Sequence, residues 1–378
     1  MTQARIAYVI NSVEGGGAAL PVPAIARVLQ DCGAQVRVFA LTRRDGRALP
    51  PMERAGLDPV VREGGERDHL QAGRWLMREA RAWGATHLWT SLSRATILGL
   101  LAGPRMGLPV IAWQHAALLK PWNRRLLRAL QGRARLWVAD SASVARLTRD
   151  RLNVTADRLE TWPIFAAEPD MPVAPAWGPG APLRIGSLGR LHHVKGYDIL
   201  LEALSLLRRN GFVAPAEVEL AIAGEGSERE RLLAVISAQA LPVSLPGYED
   251  NPRRFLHRQH LYVQPSRSEG FCIAVHEALN AGLPVVATRV GEPAHTIRNG
   301  VNGWLAAPGD ALELAQALRG ALRQPQGLAG VGRAGREDLL FRFSPARFAA
   351  DGRAIWERAI GTADQVRPVA PTRSGRSS

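Results

Sequence analysis

The chain has 378 residues, 46% of them apolar, which is long for one domain and comfortable for two. The net charge of +14 favours anionic partners, but no zinc-finger spacing or aromatic RNA-binding motif accompanies it, which argues against nucleic acid. No long apolar run is free of charge, the first residues lack a signal-peptide layout, and two cysteines, Cys32 and Cys272, do not indicate a disulfide framework; we expect a cytoplasmic protein without a transmembrane helix.

The first half alternates strand and helix patterns. A Gly-rich loop and a helix over about 23–32 follow the first apolar run. This rhythm is typical of a parallel sheet with crossover helices. The predicted strands cover residues 6–10, 36–40, 87–90, 109–113 and 136–139.

Glycines 15 to 17 follow the first strand. Gly16 and Gly17 can present backbone N–H groups to a phosphate or an acceptor, although a plain tight turn explains them as well. The loop matches neither a dinucleotide fingerprint nor a P-loop. His115 follows the strand over 109–113. It can hydrogen-bond a sugar across a cleft, or simply end a strand.

The segment 120–135 begins with a basic amphipathic helix. Trp122, Leu126, Leu127 and Leu130 are predicted to share one face, and three arginines lie elsewhere. Such a helix fits the anionic surface of a membrane, which would make the protein peripheral on the inner face of that membrane. A core-facing helix with a charged outer side is the alternative.

The segment 166–182 has five prolines, two glycines and no periodicity, so we interpret it as a linker. Alternation then resumes. We predict strands over 183–188, 218–223, 261–264 and 284–288, with helices over 197–209, 227–240, 275–281 and 311–322.

These patterns predict an α/β protein with two Rossmann-like domains, whose parallel sheets face each other across a cleft. The domains would cover 1–165 and 183–344. A terminal helix over 345–361 would return to the first domain, and a Pro-, Arg- and Ser-rich tail over 362–378 would be disordered.

Arg190 and Lys195 lie in a loop with a glycine at each end, directly after the first strand of the second half. Lys195 stands out because the chain has only one other lysine. Two cations there can neutralise a diphosphate, and the alternative is a solvated basic loop. Gly224 and Gly226 end the next strand and allow close approach of a base or phosphate, or form an ordinary turn.

Glu269 and Glu277 bracket the stretch that contains Gly270, Phe271, Cys272 and Ile273. The first carboxylate is predicted in a strand-to-helix loop and the second about two turns further along. Ligands bind at the carboxyl ends of strands in open α/β sheets. Two acids there can accept hydrogen bonds from neighbouring hydroxyl groups of a sugar or ribose. His192 and His193 lack a third ligand at suitable spacing, so we predict no zinc site.

The ordered set of motifs, from Gly189-Arg190 through Lys195-Gly196 to Glu269-x7-Glu277, resembles the retaining GT-B glycosyltransferases of family 4. The resemblance is strong over 183–305 and weaker over the first half. Cys272 departs from it, because the family often has glycine there.

The resemblance implies a GT-B fold and a role for each site residue. Arg190 and Lys195 would hold the donor diphosphate, and Glu277 the ribose hydroxyls. Glu269 would face the transferred sugar, the backbone of residues 270–273 would lie along sugar and phosphate, and His115 would approach from the acceptor domain. No metal and no other cofactor is expected.

The sequence thus predicts a transferase that moves a hexose-type sugar from a UDP- or GDP-sugar to a glycan or glycolipid acceptor, with retention, in cell-surface polysaccharide or lipopolysaccharide synthesis. A nucleotide-sugar epimerase and a glycan phosphorylase are alternative enzymes. A non-catalytic nucleotide-sugar or lipid-binding scaffold is the alternative outside enzymes.

Overall fold

The computed structural model describes residues 3–115 and 119–360. Within these residues the chain forms two sheets of seven and six strands, and every strand pair is parallel. The predicted architecture of two parallel sheets with crossover helices is confirmed. The predicted tail over 362–378, and Gly361, lie outside the described residues.

The first sheet is built from the first half of the chain. Its strands are β1 (Arg5–Ile10), β2 (Gln35–Ala40), β3 (Val60–Val61), β4 (His87–Ser91), β5 (Val110–Gln114), β6 (Leu136–Ala139) and β7 (Leu159–Thr161). Its helices are α1 (Val22–Asp31), α2 (Leu49–Arg54), α3 (His69–Trp83), α4 (Ser93–Met106), α5 (Pro121–Leu130) and α6 (Ala142–Leu152).

The strand order in this sheet is β3-β2-β1-β4-β5-β6-β7. It changes direction between β1 and β4, and such a switch point opens a crevice at the carboxyl ends of the strands. The central strands are buried on both faces, which explains why they read as continuous apolar runs.

The second sheet is built from the second half. Its strands are β8 (Leu183–Leu188), β9 (Val218–Ala223), β10 (Val243–Gly247), β11 (Leu261–Gln264), β12 (Val285–Thr288) and β13 (Gly303–Ala306). The helices of this half are α7 (Tyr197–Arg209), α8 (Arg229–Ala238), α9 (Pro252–His257), α10 (Ile273–Asn280), α11 (Pro293–Thr296), α12 (Ala311–Leu322), α13 (Leu328–Arg342) and α14 (Pro345–Ile360).

The second sheet has the order β10-β9-β8-β11-β12-β13. Its switch point lies between β8 and β11, so the loops that follow these two strands meet at one crevice. Those loops are the ones that contain Lys195 and Glu269.

The terminal helix α14 packs against the first half of the chain. The indole Nε1 of Trp162 donates a hydrogen bond of 3.0 Å to the carbonyl of Phe348. Gly352 lies so close to the Trp162 ring that a Cβ would overlap it. The segment 166–182 has no regular structure, but the amide of Ala167 donates to the carbonyl of Phe343 at 2.7 Å and so ties the segment to the second half.

Among the helices of residues 3–115 and 119–360, none has both the length and the apolar character needed to cross a bilayer.

Candidate active site

Residues from both halves meet where the carboxyl ends of the two sheets face each other. A Cβ at Gly17 would lie 3.5 Å from Cδ1 of Ile273. The hydroxyl of Ser143, on α6, donates a 3.1 Å hydrogen bond to the carbonyl of Gly291 in the second half. The candidate residues of the first and second halves therefore border one cleft.

A lysine and a glutamate meet where the loops after β8 and β11 come together. Nζ of Lys195 donates a 2.7 Å hydrogen bond to Oε1 of Glu269, and the hydroxyl of Ser266 donates to the same oxygen at 2.6 Å. Burial by itself lowers the pKa of Lys195, but the adjacent Glu269 carboxylate more than reverses this, and the pKa is raised above its usual range. Lys195 is therefore a permanent cation.

A chain of buried hydrogen bonds leads to the Glu269 carboxylate. The phenol of Tyr262 donates to Oε1 of Gln264 at 2.8 Å, and Nε2 of Gln264 donates to Oγ of Ser266 at 2.8 Å. Each group donates toward the carboxylate, so the chain fixes the orientation of Glu269. Sequence reasoning missed Gln264 and Ser266; the signal was their polar character at the end of an apolar strand.

The loop after β8 brings Lys195 to this position. Gly196 has a φ of 68°, and a Cβ there would overlap the carbonyl oxygen of Pro265. Only glycine allows that approach, which packs the loop 189–196 against the loop after β11. Arg190 is exposed on the same loop, and its guanidinium makes no hydrogen bond or ion pair with any residue that the structure describes.

Gly224 and Gly226 shape the Arg190 loop. Their φ angles are 151° and 156°, and a Cβ on either would overlap the backbone oxygen of Gly189 or of Leu191. The two glycines therefore let the loop after β9 lie directly against the loop that contains Arg190. Their predicted contact with a donor stays a prediction.

The stretch 270–273 turns from the loop into α10. Cys272 has a left-handed backbone with a φ of 61°, a conformation that favours glycine. Its thiol is buried, and burial followed by the Glu269 charge raises the pKa of the thiol well above its usual range. Ile273 is the first residue of α10, so the positive end of this helix points at the cleft.

Phe271 turns away from the cleft into an aromatic cluster. Its ring centroid lies 4.1 Å from His276, 5.4 Å from Phe343 and 6.1 Å from Phe165. Burial lowers the pKa of His276 to about 3, which keeps this imidazole neutral. The cluster anchors the loop, so the backbone of residues 270–273, rather than the Phe271 ring, is what borders the cleft.

Glu277, the second glutamate of the pair, lies on α10 about one turn after the helix begins. Burial raises the pKa of its carboxyl group to about 7, although the charge of Arg253 opposes this. Arg253 itself pairs with Glu168. Among the residues that the structure describes, none donates a hydrogen bond to the Glu277 carboxylate, so its oxygens remain available to a ligand.

His115 follows β5, but its imidazole is directed into the first half and not across the cleft. Nε2 lies 2.7 Å from Oγ of Ser91, and Nδ1 lies 3.5 Å from Oδ2 of Asp140. What faces the second half is the His115 carbonyl, which a Cβ at Gly270 would overlap. The predicted contact of His115 with a sugar stays a prediction. Ser91 and Asp140 were missed because their proximity depends on which strands are neighbours.

The glycine loop after β1 also borders the second half. The amide of Gly15 donates to Oδ1 of Asp45 at 2.9 Å, and a Cβ at Gly15 would lie 2.7 Å from the hydroxyl of Tyr248. The guanidinium of Arg47 stacks 3.5 Å from the Tyr248 ring centroid. Gly16 has open space around it and Gly17 approaches Ile273. The loop therefore lies beside the positive end of α10.

The basic helix α5 presents a mixed surface. Leu127 is buried, whereas Trp122 is 66% exposed. The predicted apolar face is thus split, because Leu127 packs into the core while Trp122 remains in solvent with Arg124, Arg125 and Arg128.

Within residues 3–115 and 119–360, no group of three or more His, Cys, Asp or Glu side chains is arranged to hold a metal ion. The expectation that the reaction needs no metal stays a prediction.

Sequence comparison gives matches over both halves. The family described as "Glycosyl transferases group 1" matches residues 179–338, and "Glycosyltransferase Family 4" matches residues 15–165. The chain is 34% identical to the amylovoran biosynthesis glycosyltransferase AmsK of Erwinia amylovora, over 40% of this chain and 38% of that protein. It is 32% identical to a glycogen synthase of Mycobacterium tuberculosis, over 53% of this chain and 45% of that protein. The matches thus span less than half the length of these curated relatives.

Among solved structures, the chain is similar to Anabaena Alr3699/HepE crystallised in complex with UDP and glucose. The TM-score is 0.81, with 20% identity over 94% of this chain and 99% of that one. A likeness at this level of identity shows that the two proteins share a fold.

Proposed function

The chain belongs to the GT-B glycosyltransferases, and from this membership we propose that it transfers a hexose-type sugar from a UDP- or GDP-sugar to a glycan or glycolipid acceptor. The observation that carries the proposal is the Lys195–Glu269 pair at 2.7 Å. Arg190 lies on the same loop as Lys195, and Glu277 lies on the helix that follows Glu269; neither side chain has a hydrogen-bond partner among the described residues.

Lys195 and Arg190 are proposed to bind the donor diphosphate. A departing nucleoside diphosphate gains negative charge in the transition state, and fixed cations stabilise that charge most when they need no reorganisation. Glu269 holds Lys195 in place through a hydrogen bond of 2.7 Å. The positive end of α10, beginning at Ile273, adds backbone N–H groups to the same region.

Glu277 and Glu269 are proposed to bind hydroxyl groups. Glu277 has free oxygens for the ribose, and Glu269 has an orientation fixed by Ser266 and Lys195 for the transferred sugar. A carboxylate accepts hydrogen bonds from two neighbouring hydroxyls, which is the geometry of ribose and of pyranose rings. A relative of the same fold was crystallised with UDP and glucose, which supports this class of donor.

The acceptor is proposed to enter from the first half, past the glycine loop and His115. Relatives of the chain take part in polysaccharide, lipopolysaccharide and glycogen synthesis, which supports a saccharide acceptor. Retention of the anomeric configuration is proposed from the family resemblance, and no covalent nucleophile is assigned.

The α5 surface is proposed to bind anionic lipid. Trp122 is exposed beside Arg124, Arg125 and Arg128, a combination suited to the interface of an acidic membrane. Binding to anionic vesicles should fall when the three arginines are replaced by glutamate. Equal binding of the wild type and this variant would refute a membrane role for α5.

The experiment that tests the function is a turnover assay. Purified protein is incubated with UDP- and GDP-hexoses, with and without saccharide or glycolipid acceptors, and both released nucleotide and product anomer are measured. Acceptor-dependent release of nucleotide with retained configuration supports the proposal. Release of nucleotide without an acceptor would indicate a nucleotide-sugar epimerase. Binding of the donor without turnover would indicate a non-catalytic scaffold.

A further inference from the structure

Three polar side chains lie side by side at the carboxyl ends of neighbouring strands in the first sheet. Ser91 ends β4, His115 follows β5 and Asp140 follows β6. The strand register pairs Gln114 with Ala139, so His115 and Asp140 follow at one level of the sheet, and it pairs Ser91 with Trp113, two residues before His115. Their proximity is therefore built into the strand order.

All three side chains are buried. Ser91 is fully buried, and the side chains of His115 and Asp140 are 7% and 3% exposed. The Trp113 ring stacks on His115 with centroids 5.4 Å apart and an interplanar angle of 26°. The imidazole thus has an indole against one flat side and a polar side chain near each ring nitrogen.

In this cluster, one ring nitrogen of His115 and one carboxylate oxygen of Asp140 lack a hydrogen bond to any described residue. Nε2 of His115 is satisfied by the Ser91 hydroxyl at 2.7 Å. Nδ1 of His115 and Oδ1 of Asp140 are both buried without a hydrogen-bond partner among the described residues. Nδ1 lies 3.5 Å from the other carboxylate oxygen, longer than a good hydrogen bond. Hydrogen bonds in functional sites often tighten only when substrates bind.

Capping of a helix does not explain Asp140. The cap of the following helix α6 is Ser141, whose Oγ accepts from the amide of Val144 at 3.2 Å. A buried carboxylate is unfavourable unless it is paired with, or hydrogen-bonded to, another group. The group beside it is the His115 imidazole.

The position of His115 matters at the cleft. Its carbonyl oxygen is packed against Gly270, directly after Glu269 in the chain, so tightly that a Cβ on Gly270 would overlap it. Movement of the imidazole would move this carbonyl relative to the loop that holds Glu269. Small displacements of a positioned group lower the rate of a chemical step strongly.

We propose that Asp140 is a positioning residue for glycosyl transfer. Its carboxylate keeps the proton of His115 on Nδ1, so that Nε2 accepts from Ser91, and it thereby holds the His115 backbone against Gly270. This inference rests on the proposed transferase function. It adds a role for a residue that would not touch the donor.

The test compares Asp140→Asn with the matched control Asp150→Asn. Asp150 lies on α6 in the same half, is more than half exposed and, among the described residues, pairs with its neighbour Arg149. Three quantities are measured in the full chain: the Kd for UDP, kcat with a donor and acceptor, and the protonation of the His115 ring nitrogens by nitrogen-15 NMR. The His115 signal is assigned with His115→Gln.

We expect wild type to carry a proton on Nδ1 of His115, and Asp140→Asn to lose this preference. In Asp140→Asn, kcat should fall about 10- to 100-fold while the Kd for UDP changes less than about twofold. Asp150→Asn should match wild type in all three measurements. If Asp140→Asn does not fold, Ser91→Ala removes the hydrogen bond at Nε2 that also positions the His115 ring, and it should also lower kcat.

An unprotonated Nδ1 in wild type, or unchanged kcat in the folded Asp140→Asn protein, would overturn the inference. Failure of wild type to bind UDP and GDP would instead contradict the proposed function. The NMR measurement does not depend on activity, so the two failures are distinguishable.

Discussion

Nζ of Lys195 lies 2.7 Å from Oε1 of Glu269, although 74 positions separate the two residues in the chain. They belong to loops that follow β8 and β11, the two strands at the switch point of the second sheet. The Glu269 carboxylate thus orients the Lys195 cation within the protein itself.

Replacement of Lys195 by alanine should lower kcat by roughly 100- to 1,000-fold, because it removes a fixed charge that opposes the growing charge of the leaving group. Glu269→Ala should also lower kcat by orders of magnitude, since Lys195 then loses its buried partner. Initial rates at saturating donor measure both effects. Glu337→Ala, on the exposed side of α13 without a hydrogen bond or ion pair among the described residues, is the control.

The double variant Lys195→Ala/Glu269→Ala distinguishes cooperation from independent roles. Residues in direct contact give non-additive effects. We expect the double variant to lose much less activity than the product of the two single losses. Strict multiplication of the losses would show that the ion pair has no functional role, and near-normal rates in either single variant would refute the site assignment.

Glu277 should make the stability of the protein depend on pH. Its folded-state pKa is about 7, above the usual carboxyl value of 4.5, because of burial. The folded state therefore holds a proton that the unfolded state releases, and stability should fall as pH rises between these two values. Glu277→Gln should remove this part of the decline, as measured by unfolding midpoints across that window. An unchanged pH profile in Glu277→Gln would show that the group titrates normally.

The same group should couple nucleotide binding to a proton. If ribose hydroxyls donate to the ionised carboxylate, UDP or GDP binds the deprotonated protein better, and affinity should rise by up to roughly tenfold per pH unit below about 7. The nucleotide phosphates titrate as well, so the relevant quantity is the difference between wild type and Glu277→Gln in calorimetric Kd. Identical pH dependence in both proteins would contradict the ribose assignment.

Gly270→Ala should impair the approach of the two halves. A Cβ there would overlap the His115 carbonyl oxygen, and backbone cannot yield as a flexible side chain does. We expect kcat to fall about 10- to 100-fold, with an increase in the radius of gyration measured by small-angle scattering. A variant with normal activity and normal dimensions would show that the halves work without this contact.

Two glycine substitutions should change stability in opposite directions. Gly352→Ala, on α14, would place a methyl group against the Trp162 ring and 2.6 Å from Cγ1 of Val28, which should destabilise the protein by about 1–3 kcal/mol. Gly330→Ala, on α13, meets only a distant arginine end, and should stabilise by about 0.5–1 kcal/mol. Calorimetric unfolding of both tests whether α14 is a structural part of the first half. Equal changes in unfolding stability in the two variants would argue that α14 is not a structural part of the first half.

Much of the fold could be predicted because the strands are buried and the helices amphipathic. The bounds predicted for α7, β9, β11 and α12 are confirmed. Helix α13 was missed because its glycines lower helix propensity. The structure explains two of them: a Cβ at Gly332 would overlap the carbonyl of Gly282, and one at Gly335 would crowd Leu279. These glycines allow close packing on α10 and on the turn that follows it, a constraint that one sequence does not reveal.

Part of the candidate site could likewise be predicted from the sequence, and part could not. Glu269 and Lys195 were identified because their loops carry recognisable patterns, and the structure brings them into contact. The Ser91–His115–Asp140 cluster was not predicted, because its members are far apart in the chain and become neighbours only through the order of β4, β5 and β6. A polar residue at the end of each of three successive strands was the available signal.

Donor binding at Lys195 is tested by thermal unfolding of the purified protein with UDP-, GDP-, ADP- and dTDP-sugars, each with and without EDTA. A donor that binds the folded state raises the unfolding temperature, and the rise grows as the donor concentration exceeds its Kd. We expect stabilisation by a UDP- or GDP-hexose that EDTA does not change and that Lys195→Ala reduces. No shift with any nucleotide sugar in a folded sample, or an equal shift in Lys195→Ala, would contradict this expectation.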